Sequence, residues 1–114
     1  MPQNTSQIEA EFQEELLNAY SEAKNKYKYN PTRFIQMVSE HGAVETARRL
    51  LGTGSAVQTG LDELWKCQRL DLSVEAKALI PKYGQLFSSN LKDTARRRLV
   101  DRAFDVDTWL EGIE

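Results

Sequence analysis

Apolar residues recur at Ile8, Phe12, Leu16, Ala19, Tyr20, Ala23 and Tyr27, a spacing that predicts an amphipathic helix over about residues 6–28. Its start reads Ser6-Gln7-Ile8-Glu9, a capping box in which the Ser6 hydroxyl meets the Glu9 amide and the Glu9 carboxylate reaches back. Acids crowd its early turns (Glu9, Glu11, Glu14, Glu15) and lysines its late ones (Lys24, Lys26, Lys28), as the helix dipole favours. Asn30-Pro31 opens a second helix, with Asn30 as the N-cap and Pro31 where no amide hydrogen is needed. Phe34, Ile35, Met37 and Val38 give that helix an apolar side, and Gly42 stops it. A third helix follows at once in "AVETARRLL", with Val44, Ala47, Leu50 and Leu51 turned inward.

The stretch 52–60, "GTGSAVQTG", is glycine-rich and polar and reads as a loop. Thr59 then resembles an N-cap for "GLDELWKCQ". A joint at Leu70-Asp71-Leu72 follows, and Ser73 caps "VEAKALI", which Pro81 ends. "PKYGQLF" reads as a turn with one helical turn inside, and Ser88 or Ser89 opens a long helix striped by Leu91, Ala95, Leu99 and Ala103. Asp105 caps a last short helix carrying Trp109 and Leu110. No segment alternates as a strand would. The predicted fold is therefore all-α: one compact orthogonal bundle of five to seven short helices. Its core is assigned to Phe12, Leu16, Phe34, Val38, Leu50, Leu51, Leu64, Trp65, Leu70, Leu72, Leu79, Leu86, Phe87, Leu91 and Leu99.

Composition narrows this picture. A length of 114 residues fits a single domain, residues 1–114, able to bury roughly two thirds of its unfolded surface. Fifteen basic against seventeen acidic side chains leave a net charge of −2, so nucleic-acid or membrane affinity would need a local patch. Cys67 is the only cysteine, which rules out an internal disulfide and fits a reducing compartment. The polar, acidic opening lacks the features of a secretory signal, and no apolar run approaches the ~20 residues that span a bilayer. A cytoplasmic location is the expectation.

In the joint, Leu70 and Leu72 can enter the core while Asp71 points away to take a nearby backbone amide or pair with Arg69 or another arginine, and Ser73 meets an amide of the next helix. Every residue there has an architectural task. Three stretches, "NPTRFIQMVSEHGAVETARRLL", "VQTGLDELWKCQRLDLSVEA" and "LFSSNLKDTARRRL", together resemble a recurrent small helical domain of bacterial and phage-related proteins. In that family the joint usually reads Gly-Arg-Leu-Asp-Leu-Thr/Ser-Val-Glu, followed by Leu-Phe-Thr and a helix with an Ala-Arg…Arg-Leu pattern. Here Gln68 stands where glycine is usual, which removes the easy left-handed cap before Arg69, and Ala43 stands where a second glycine is common. The resemblance covers residues 30 to about 104 and leaves the first helix as a peripheral extension. It implies the fold and carries no catalytic residue, because the family has no assigned activity.

Candidate chemistry is sparse. His41 sits at a helix end, where it can meet terminal carbonyls, and Cys67 reads as a buried, inert thiol. No Cys/His spacing makes a zinc site, and the 52–60 loop lacks the Lys-Ser/Thr ending of a phosphate loop. Neither a catalytic residue nor a metal or cofactor is expected. The strongest polar signal is basic: Lys92, Arg96, Arg97, Arg98 and Arg102 on the last long helix, with Arg48 and Arg49 on the third. From Ser88 to Phe104 five basic residues face two acids, a local charge of +3. Tyr29, beside the Asn30-Pro31 break, is a candidate exposed aromatic. The expected function is a non-catalytic protein-binding module, an adaptor or inhibitor of a larger bacterial or phage protein, using these residues. Two alternatives stay open, nucleic-acid binding through the arginine-rich helix 89–104 and self-association, and the arginine face can equally be a solvated one paired with Asp93, Asp101 and the acidic tail Asp105, Asp107, Glu111 and Glu114.

Overall fold

The structure is a computed structural model that describes residues 5–28, 32–52 and 60–113. Those residues form α1 (Thr5–Tyr27), α2 (Thr32–His41), α3 (Ala43–Gly52) and α4 (Leu61–Lys66). A 3-10 turn at Leu70–Leu72, α5 (Val74–Ala78), a second 3-10 segment at Pro81–Leu86, α6 (Ser89–Val100) and α7 (Val106–Glu111) complete them. No strand occurs among the described residues. The chain is an all-α bundle around one core, as the periodicity predicts. α1 begins at Thr5, so Ser6 sits inside the first turn instead of capping it. Asn30, Pro31 and Thr59 lie outside the described residues. Gly60, at φ 72°, precedes α4.

α1 is a wall of the core, not a peripheral extension. Ile8, Phe12, Leu16, Ala19, Tyr20 and Ala23 are all buried, and the helix packs on α3, α5 and both 3-10 segments. Phe12 meets the rings of Tyr83 and Phe87 edge-on at 5.2 and 5.3 Å, and Tyr20 stacks on Phe34 at 4.3 Å. At 23 residues it spans about 34 Å with one continuous apolar stripe. The shorter helices need that stripe to close over their own. Phe12→Ala would open a cavity costing roughly 3–5 kcal/mol.

The joint behaves as its alternation predicts. Leu70 and Leu72 are buried, and Asp71 accepts two N–H bonds from Arg69 at 3.0 and 3.2 Å. Ser73 is fully buried; its hydroxyl donates to the Leu70 carbonyl at 2.7 Å and accepts from the Ala76 amide at 3.1 Å. Ser88 and Asp105 cap α6 and α7 through the Leu91 and Thr108 amides. Gly42 stops α2 at φ 83°, where a side chain would be strained.

Three core assignments need correction. Trp65 is 51% exposed. Leu61 and Leu64 carry the buried side of the short α4, and residue 65 projects about 100° round from Leu64. Leu79 and Leu91 are half-buried at the edge of the core. Tyr83 and Glu75, which local pattern does not place inside, are fully buried.

Candidate functional site

The expected basic face does not form as one surface. Successive residues on α6 point about 100° apart, so Arg96, Arg97 and Arg98 leave in three directions. Arg98 turns into the core, only 7% exposed. Its Nη1 donates to Glu75 Oε2 at 3.1 Å and to the Leu50 carbonyl at 3.3 Å, which ties α3, α5 and α6 together. Its Nη2 has no hydrogen-bond partner among the described residues. Arg98 is therefore a structural ion-pair residue and is withdrawn from the surface set. The signal was present: Arg98 lies three residues after Ala95 and beside Leu99, on the edge of the apolar stripe.

The other predicted residues are mostly tied to their own chain. Arg102 donates to Asp62 at 2.9 Å and to the Arg98 carbonyl at 2.9 Å. Arg96 pairs with Asp107 at 3.0 Å, and Arg49 with Glu45 at 2.9 Å. Lys92 donates to the Gly84 carbonyl and Arg48 to the Leu86 carbonyl. Exposed Arg97 meets only its neighbour Thr94, at 3.5 Å. Tyr29 lies outside the described residues. Tyr20 is core, and Tyr27 accepts a bond from Arg69 at 2.9 Å with the guanidinium 5.8 Å from its ring centre.

Two concave regions stand out. The first, about 410 Å³, follows α1 where Glu11, Glu15 and Glu22 face Lys77, Lys82 and Tyr83. Exposed Glu14 also lines it, and its other charges are already matched. Lys82 meets Glu11 at 2.7 Å, Lys77 meets Glu15 at 3.2 Å, and the Tyr83 hydroxyl donates to Glu15 at 3.0 Å. Burial, reinforced by that bond to Glu15, pushes the Tyr83 phenol well above its usual range. At one end Arg69 bridges Asp71, Tyr27 and Glu22, and these bonds outweigh burial and hold its guanidinium charged. This cleft is a seam between elements.

The second is a groove of about 510 Å³ between the α4 joint and the end of α6. Trp65, Lys66, Gln68 and Leu70 form one side; Arg102, Ala103 and Phe104 form the other. Phe104 leans on Trp109, ring centres 5.8 Å apart. Both helix ends close by the same device. After α4 the Arg69 amide bonds the Leu64 carbonyl and the Gln68 amide the Trp65 carbonyl. After α6 the Phe104 amide bonds the Leu99 carbonyl and the Ala103 amide the Val100 carbonyl. This arrangement demands a left-handed residue, for which glycine is usual. Gln68 at φ 59° and Ala103 at φ 61° occupy those positions. Each costs on the order of 1 kcal/mol relative to an unstrained backbone. Gln68 thus adopts the left-handed conformation despite lacking glycine's freedom, because the next amide bond and buried Leu70 fix the chain's path.

Lys66 and Arg102 are the charged residues lining this groove. Lys66 meets Glu63 at 3.7 Å with both side chains more than half exposed, a contact worth little in water. Cys67 is half-exposed rather than buried, and His41 is exposed with Glu40 3.8 Å away. Among the described residues no group of three or more His, Cys, Asp or Glu could hold a metal ion, and no helix is long and apolar enough to cross a membrane. The chain matches no protein-family model, no curated protein and no solved structure. Sequence reasoning missed the groove because Trp65 had been assigned to the core. The signal that could have found it is Gln68 standing where a left-handed cap is required.

Proposed function

We propose that this protein is a non-catalytic protein-binding module, an adaptor or inhibitor acting on a larger bacterial or phage protein, and that it docks through the Trp65 groove. The carrying observation is an exposed tryptophan beside a half-buried phenylalanine, in a concavity flanked by two strained helix ends. Tryptophan and arginine are the residue types that most often dominate binding energy at interfaces. The ionisable groups tied between elements support the same reading. Glu75, Arg98, Glu15, Lys77 and Tyr83 each serve a helix-to-helix contact. The resemblance to a recurrent helical domain stays part of the proposal and supplies its bacterial and phage setting.

A photo-crosslinking residue at position 68, which leaves Trp65 intact, tests this in the native host. The expected result is a covalent adduct with a different protein at position 68 and none at position 33 on α2. No adduct, or equal adducts at both positions, rejects the reading. The nucleic-acid alternative rests on the exposed Arg97 and the scattered arginines. It predicts retention on a gel that weakens steeply between two salt concentrations, and no retardation at low salt removes it.

A further inference from the structure

Resting on the docking reading above, we infer that the groove receives a short acidic segment of a partner protein, anchored by one large apolar side chain. Three features fix that chemistry. The lining is aromatic and aliphatic on both sides, with Trp65 and Leu70 facing the joint and Phe104 the end of α6. Its volume of about 510 Å³ has room for one or two large side chains. Its lining includes two cations and no carboxylate.

The two cations differ in availability. Arg102 is half-buried and held at 2.9 Å by Asp62, so its charge is already countered and Lys66 is the cation open to exchange. Lys66 is 69% exposed, and its contact with Glu63 is loose enough to exchange for a partner's carboxylate. An apolar anchor would cover Trp65, exclude water from the rim and strengthen that exchange. Gln68, which takes the place of a glycine, adds an amide that both donates and accepts hydrogen bonds along the same rim. It can reach the backbone of an extended segment. A basic segment would meet Lys66 and Arg102 as like charges.

The test pans a display library of random nine-residue peptides against the intact chain. The expected winners carry one Leu, Ile, Phe or Trp with acidic residues beside it. Their binding should fall at least about tenfold in Trp65→Ala and in Lys66→Glu. Gln85→Ala, exposed and outside the groove, should leave it unchanged. Basic winners, no enrichment, or binding indifferent to Lys66→Glu overturns the inference. Lys66 is an exposed helix-end residue, so its substitution keeps the test valid even if Trp65→Ala disturbs the fold. A mass that rises with concentration, and that Trp65→Ala returns to one chain, would assign the groove to a second copy and overturn the acidic segment. The crosslink at position 68 separates the two failures. A foreign-protein adduct with a failed selection removes only the acidic segment, whereas no adduct and a failed selection remove the docking reading as well.

Discussion

Arg98 in the last turn of α6 and Arg102 just beyond its end lie four residues apart, yet they belong to regions of opposite character. At the junction of α3, α5 and α6, Arg98 is sealed against Glu75 and the Leu50 carbonyl. One turn further on, Arg102 edges an open groove, and its Nη1 donates to the Arg98 carbonyl. The difference follows from what covers each. α3 and α5 close over the first turn, whereas α6 ends at Val100 and the chain leaves through strained Ala103. A polar residue in the sealed region acts on folding, whereas an apolar residue in the open one, Trp65, stays half in water.

Substitutions at the two regions sharpen or break that contrast. Arg98→Ala should have the largest effect, about 3–5 kcal/mol lost in urea unfolding, because Glu75 stays buried without its counter-charge. Joining Arg98→Met with Glu75→Leu should recover most of that loss. A single-variant loss under about 1 kcal/mol would mean that Arg98 is no more sealed than Arg102.

The second prediction concerns alkaline stability. A free tyrosine titrates at 10.0. Burial first, and then the bond to Glu15, hold Tyr83 protonated above that value. The unfolded chain releases its proton earlier, so this contribution is intact below pH 10.0 and declines as pH rises toward the folded value. Melting temperatures followed upward from pH 9 should fall more shallowly in Tyr83→Phe than in the native chain. Parallel curves would show that the phenol is not sealed.

Smaller effects belong to the groove. Trp65→Ala should cost about 1 kcal/mol, far less than a fully buried tryptophan, since half of the indole is already in water. A calorimetric loss above about 2 kcal/mol would return Trp65 to the core. Gln68→Gly and Ala103→Gly should each raise stability by roughly 0.5–1 kcal/mol, relief of left-handed strain exceeding the entropy that glycine loses. A destabilised Gln68→Gly would mean that the glutamine side chain holds the joint.

Much of the fold was legible in local pattern. Ser73 and Asp105 cap the helices that local pattern predicts, and of the two candidates Ser88 and Ser89 it is Ser88 that caps α6. Leu70 and Leu72 turn inward around an Asp71 paired with Arg69, because alternation with a charged centre leaves few other arrangements. The candidate site was much less legible. A row of arginines says that cations are present, but not which of them a distant glutamate will draw inside. Glu75 lies 23 residues from Arg98, and no local period connects them. Trp65 misled for the same reason. Hydrophobicity argues for burial, but a six-residue helix has room for only a narrow inward face.

The residue order by itself determined which stripe of each helix is apolar and where Ser73, Asp105 and Gly42 bound helices, because propensity, capping and periodicity act within a few residues. Tertiary structure decided which arginine Glu75 draws into the core, that Trp65 is surface, and that Ala103 takes a conformation suited to glycine. Those outcomes depend on how seven short helices share one limited interior among the described residues. That competition is settled by contacts between residues far apart in the chain.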